Sequence, residues 1–315
     1  MQSNSAVPRG ASTSLRRRPR QNQGQRLFVA MTLIPMALVF LIFWIYPIFD
    51  GMWGSLTTWQ GFNPNRPFVG LDNYRALAND PVFVKALVNT FWFTVLYLPT
   101  NIVLALLLAL AIEATGVLRT FFRTIYFLPV VTSVIATALI WKWLYQPQLG
   151  LFNQILGMFG LPTQRFLLSR TQALPSIVVY TLWKDVGFTM VLFMAGLKGI
   201  DRSYYEAAHV DGANGWQVFW RITLPLLRPT FVFVLITGMI NTLQIFGPIF
   251  VLSGAQANSP PGGPSNSTMV VPVYQWLTAF NELNLGYGAA MSIVLFLIVL
   301  LVTLAQSRLL RNQDG

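Results

Sequence analysis

The chain reads as an all-α, polytopic membrane protein with six transmembrane helices, on three observations. Its 315 residues are 54% hydrophobic and 10% charged, whereas an ordinary soluble domain carries about 25% charge. Six apolar runs are long enough to cross roughly 30 Å of hydrocarbon. The basic residues gather on alternate connections between those runs instead of covering one surface.

The runs fall near 28–49, 89–112, 125–141, 174–196, 230–252 and 287–306. The first follows the basic stretch "RRRPRQNQGQR". It is too long for a signal-peptide core and has no small-residue cleavage site before Asp50, so it reads as a retained anchor. With the N-terminus in the cytoplasm, fourteen Lys and Arg residues fall on that side and six on the other, Lys184 lying within a span. The positive-inside bias therefore puts both termini in the cytoplasm of a multi-pass cell-membrane protein. The expected organisation is a basic, compositionally disordered cytoplasmic tail (1–26), a first span (27–52) and an external connection (53–86). A core (87–308) follows, with five spans and a cytoplasmic loop at 198–229, and then a short cytoplasmic tail (309–315). The Pro/Gly/Ser-rich stretch 253–268 reads as an external loop.

Several function classes drop out. The chain has no cysteine and one histidine, His209, so neither a disulfide framework nor a Cys/His metal site is expected. The net charge of +11 is split between the N-terminus and the connections, which does not make a nucleic-acid-binding face. None of the four lysines, Lys85, Lys142, Lys184 and Lys198, follows glycine as a phosphate-cradling loop requires. No GxSxG or HExxH pattern occurs. The expectation is a chain that is not an enzyme by itself, holds no cofactor or metal, and has lipid as its solvent.

Between the fourth and fifth runs lies "EAAHVDGANGWQVFWRITLPLLRP" (206–229). Asp201 is placed to cap a helix through "RSYYEAAHV", Gly212 to take a positive φ in the "DGAN" turn, and Asn214 to cap a second helix. That helix carries Val218, Phe219 and Ile222 on one side, with Trp216 and Trp220 beside them, and should stop before Pro225. The small Ala207, Ala208, Gly212 and Ala213 permit close approach of another backbone. By spacing alone this elbow is either a docking knob or an amphipathic connector on the bilayer surface.

Two polar groups interrupt the spans. Lys184 and Asp185 sit in the middle of the fourth, where a charge facing lipid is costly; each is either satisfied by a neighbouring helix or part of a polar cavity wall. Asn241 and Gln244, three apart in the fifth, would share a helical face. Their amides suit sugar hydroxyls, and they equally suit hydrogen bonds between helices. Thr132 and Ser133, after "FLPV", are further candidates for the same cavity.

The pattern Glu206-Ala207-Ala208, Asp211-Gly212-Ala213, Phe219, Ile222, Leu224-Pro225 and Pro229 resembles the cytoplasmic loop of binding-protein-dependent ABC importer permeases. The likeness extends through "FVGLDNY", "FRTIYFLP", "LYQPQLG", "LFNQILG" and "NLGYGAAMSIVLFLIVLLVTL", over nearly all of 27–308. It is nearest the carbohydrate branch, the maltose and glycerol-3-phosphate type. The resemblance implies the type I importer permease fold and an ATPase-coupling role for those loop residues. It also implies partners: a second permease subunit, two copies of an ATPase subunit that uses the ATP, and an extracytoplasmic solute-binding protein. Counted from the loop, Asp185, Phe188, Asn241 and Gln244 match positions lining the family's sugar site, although an acid is not usual at the position of Asp185. The expected function is one permease half of an ATP-driven importer for sugars, polyols or glycerophosphates. The alternatives are an ion-coupled transporter built on Lys184 and Asp185 and a membrane scaffold or channel, and the latter leaves the elbow unexplained.

Overall fold

The structure is a computed structural model that describes residues 23–254 and 260–311. Most of the expected basic tail, part of the 253–268 loop and the last residues of the C-terminal tail lie outside the described residues. Among the described residues the only β pairing is two isolated bridges, and the rest is helix and connection. The chain divides into a unit ending at Asp50 and a larger unit from Gly51 onward.

The first unit is a helix, α1 (Gln23–Phe40), that passes through a π-helical stretch (Leu41–Ile45) into α2 (Tyr46–Gly54). Its apolar run covers Phe28–Gly54. Pro35 lies inside α1, and neighbouring backbone adjusts locally around such a residue in a membrane helix.

The second unit holds α3 (Asp72–Ala78), α4 (Pro81–Ala114), α5 (Arg119–Val131), α6 (Val134–Leu144), α7 (Leu151–Met158) and α8 (Ala173–Lys198). It continues with α9 (Arg202–Val210), α10 (Gly215–Val218), α11 (Leu224–Leu226), α12 (Arg228–Leu243) and α13 (Gly247–Ser253). The last two are α14 (Val271–Trp276) and α15 (Leu285–Arg311). Four helices are long and apolar enough to cross a membrane: the Phe28–Gly54 run, α4, α8 and α15. Counting each of two bent pairs as one span brings the number to six.

Three spans differ from their expected form. The second begins eight residues early, because Asp80 caps the Val82 and Phe83 amides and Pro81 takes the first-turn position, where its missing N–H costs nothing. At 34 residues α4 is roughly 51 Å long, well beyond the hydrocarbon thickness. The run 125–141 does not cross as one helix. It breaks at Thr132 and Ser133, both extended, and α6 leaves at 96° to the helix before it. The run 230–252 is interrupted as well: α12 ends at Leu243, and α13 restarts at Gly247 with Pro248 in its first turn, the site proline favours.

The core has two parts. One is built on α4, α6, α8, α13, α14 and α15 around fully buried Phe93, Ile177, Tyr180, Ile249 and Met291. The other joins the far halves of α4 and α8 to α12 through Phe193, Met190, Leu227 and Val234. Helices α4 and α8 form the most extensive pair in the bundle. Helix α5 also lies close to α8: a Cβ at Gly187 would overlap the carbonyl of Tyr126, so only glycine permits that contact.

Candidate functional site: a polar cavity and an exposed elbow

A cavity of about 260 Å³ opens between α4, α8 and α12. It is lined by Tyr97, Asn101, Asp185, Phe188, Thr189, Thr237 and Asn241, with Val130 of α5, Gly238 and apolar residues closing it. The Tyr97 hydroxyl faces the Asp185 carboxylate and is placed to donate to it. Asn101 is 2% exposed, and its side-chain Nδ2 has no hydrogen-bond partner. A buried amide donor left open costs about 1–3 kcal/mol, and this one is enclosed by protein rather than open to the cavity. A larger cavity of about 630 Å³ beside α7 is predominantly apolar. Its amides are already engaged, Gln172 with Gln164 and the Phe166 amide, so nothing in it awaits a polar ligand.

Lys184 and Asp185 have different roles. Lys184 is 4% exposed, and its Nζ donates to the carbonyls of Pro129 (3.1 Å), Val130 (3.3 Å) and Thr132 (3.1 Å). These carbonyls lie at the break after α5, where that of Pro129 also accepts from the Thr132 amide and hydroxyl. An ammonium has three donors, and all are spent there, at the helix end where the macrodipole favours a cation. Lys184 is the structural member of the pair and Asp185 the cavity member.

The remaining cavity candidates separate in the same way. Phe188 and Asn241 line the cavity with Asp185. Gln244 is not among the lining residues: it is the C-cap of α12, with φ −106° and ψ 17°. Thr132 and Ser133 also lie outside the cavity lining. The Thr132 hydroxyl donates to the Pro129 carbonyl, and Ser133 caps α6 through Ala136 N–H. Sequence reading missed Tyr97, Asn101 and Thr237. Tyr97 and Asn101 lie four apart on α4, a helical spacing present in the sequence but hidden within its most apolar run.

The second feature is the loop 198–229. Asp201 accepts from Ser203 N–H at 2.9 Å and caps α9; that bond holds its exposed carboxyl below the usual aspartate range. Gly212 turns the chain at φ +71°. Asn214 and Gln217 then exchange amide and side-chain bonds of 2.9 Å in a capping box that starts α10. The helix does not stop before Pro225: a π-helical turn (Phe219–Thr223) carries it into α11, and the 60° bend to α12 comes at Leu227. A π-turn is a common way to absorb the mismatch near a proline.

The motif residues divide between two surfaces. Phe219 and Leu224 pack against the second core cluster, joined by fully buried Leu227, while Ala208 is buried and Tyr205 reaches Thr223 across the elbow at 3.3 Å. Ile222 and Ala213 are half-buried; Glu206, Ala207, Asp211, Pro225 and Pro229 are exposed. The outward surface carries Val210, 89% exposed, and Trp216, 70% exposed, with Trp220 in edge contact with Trp216 at 5.5 Å.

A membrane bundle with a polar cavity between its spans and an exposed elbow joining two cavity helices has the parts of a transport subunit. Residues 76–314 match the family described as binding-protein-dependent transport system inner membrane component, and the chain belongs to that family. It is similar to a probable ABC transporter permease, YurN, of Bacillus subtilis: 34% identical over 284 residues, 89% of this chain and 94% of that one. It is 34% identical over 277 residues to the multiple sugar-binding transport system permease MsmF of Streptococcus mutans, covering 88% and 92%. It is 31% identical over 284 residues to the sn-glycerol-3-phosphate transport system permease UgpA of Agrobacterium fabrum, covering 90% and 94%. Among solved structures, a chain of a bacterial ABC transporter that imports the acidic polysaccharide alginate superposes with a TM-score of 0.81. The two are 25% identical, with 93% of this chain and 98% of that one covered. The chain is a multi-pass membrane permease subunit of an ATP-driven importer, and the carbohydrate-type resemblance read from the sequence holds.

Proposed function

We propose that this chain forms one half of a translocation pathway for a sugar or a related polyol or glycerophosphate. Its partners in this reading are a second permease, two copies of a separate ATPase subunit and an extracytoplasmic solute-binding protein. Both termini lie in the cytoplasm. ATP is hydrolysed on the ATPase subunits, and the 198–229 loop takes up their movement.

The observation that carries the reading is the two-sided elbow. One side is fastened to the bundle by Phe219, Leu224 and Leu227, and the other exposes Val210 and the Trp216–Trp220 pair. Large, exposed aromatic side chains on a small, capped scaffold are what a protein cleft anchors on. The elbow also lies between α8 and α12, which bear Asp185 and Asn241 on the cavity wall. A displacement of the elbow therefore moves two walls of the cavity together, as switching access from one side to the other requires. Ion coupling through a Lys184–Asp185 pair is disfavoured, because the Lys184 donors are committed to three carbonyls.

The test is Gly212→Val in the complete transporter reconstituted into liposomes. A β-branched residue at φ +71° is strained by about 1–3 kcal/mol, so the turn reshapes and the aromatic surface is displaced. The variant should insert and fold while losing ATP-dependent uptake. Undiminished uptake, or purification of the wild-type chain without an ATPase subunit, would end the coupling reading.

A further inference from the structure

We propose that the cavity between α4, α8 and α12 selects against negative charge, so that the solute passing it is a hydroxyl-rich molecule that is neutral or cationic, such as an unmodified sugar or an amino sugar. The inference rests on the cavity being part of the pathway, and it narrows the solute class given above.

The chemistry of the lining points this way. It contains one acid, Asp185, and no lysine, arginine or histidine. The nearest cation, Lys184, has its three donors on the Pro129, Val130 and Thr132 carbonyls and presents none to the cavity. A phosphate or carboxylate brought in would lose its water, meet no counter-charge and stand near an acidic group. A hydroxyl-rich solute meets what it needs. Asp185 accepts from sugar hydroxyls or from an ammonium. The Asn241 amide can donate and accept, the Thr237 hydroxyl, whose proton is on the Phe233 carbonyl, can accept, and half-exposed Phe188 gives an apolar surface for the C–H face of a sugar ring. This cargo differs in charge from those named for two similar proteins, glycerol 3-phosphate and the acidic polysaccharide alginate.

A matched set of probes isolates the charge: glucose, glucosamine and glucuronate share one ring and differ in formal charge. Binding of each to the detergent-purified permease–ATPase complex, prepared without a solute-binding protein, is measured by saturation-transfer NMR near pH 6.5. Glucose and glucosamine should bind at least about tenfold more tightly than glucuronate. Asp185→Asn should remove most of that spread, and Asn241→Leu should weaken all three probes while keeping their order. Glucuronate binding as tightly as glucose, or an undiminished spread in Asp185→Asn, overturns the charge selection and leaves the pathway reading standing. Failure of all three probes to bind overturns both.

Discussion

The elbow lies between two of the helices that wall the cavity, yet the two features are held in opposite ways. In the elbow every polar cap is answered within three residues: Asp201 by Ser203, and Asn214 by Gln217 in both directions. In the cavity the partners are distant. Lys184 reaches carbonyls more than 50 residues away, and Tyr97 on α4 faces Asp185 on α8. A locally bonded piece keeps its shape when the rest of the molecule moves, which suits a part that is pushed. A wall assembled from several helices changes whenever one of them shifts, which suits a part that must open and close.

The sharpest way to break this contrast is Lys184→Met. It removes the Nζ donor from the part-buried carbonyls of Val130 and Thr132 at the α5–α6 break, while that of Pro129 keeps the Thr132 amide and hydroxyl, and each unsatisfied group costs about 1–3 kcal/mol. The expected result is a loss of about 2 kcal/mol or more in thermal unfolding of the detergent-solubilised chain, with hydrogen-exchange protection of the 201–218 segment unchanged. Equal loss of protection in that segment would show that the elbow depends on the bundle after all.

A smaller effect is expected from Asn214→Ala, which deletes the cap of α10 and should cost about 1 kcal/mol. Protection should fall around Gly215–Val218 while the unfolding midpoint of the bundle stays close to that of the parent. A drop in that midpoint as large as for Lys184→Met would erase the distinction between local and distant support.

The smallest effect concerns pH. Asp80 joins three elements that are distant in sequence: it caps α4 and accepts from the hydroxyls of Tyr274 at 2.6 Å and Tyr287 at 2.9 Å. Burial alone would raise its pKa, but the two tyrosine hydroxyls and the Phe83 and Val82 amides outweigh it and hold the carboxyl below its ordinary 3.8. A depressed folded-state pKa adds stability above the unfolded value, and that stability is lost as pH falls through the folded value. The window therefore lies below about pH 3.8. Asp80→Asn should flatten the acid limb of a midpoint-against-pH curve and leave its slope near neutrality unchanged; an unaltered acid limb would remove Asp80 from the account.

Much of this was legible in the residues. The number of spans follows from apolar runs, since hydrocarbon sets their length, and the elbow follows from Asp201, Gly212 and Asn214, since caps and positive φ are properties of neighbouring residues. The early start of α4 was also written in Asp80-Pro81, but the hydropathy of the run that follows masked it. The break at Thr132–Ser133 was harder to see, because Pro129 and the Ser133 cap sit inside a run apolar enough to pass for one helix. The end of α12 at Leu243, with Gln244 as its C-cap, leaves Gln244 outside the cavity that Asn241 lines.

By itself, the sequence determined an all-helical membrane protein, its six apolar passages, the shape of the elbow and the permease family, because each is encoded by residues within a few turns of one another. Only the tertiary structure decided that adjacent Lys184 and Asp185 have different jobs, and that Tyr97 of α4 meets Asp185 at the cavity. The physical reason is that a buried charge or amide takes its role from whichever backbone or side chain lies opposite it. For Lys184 that group is the broken end of α5, brought near only when α5 packs on α8 at Gly187.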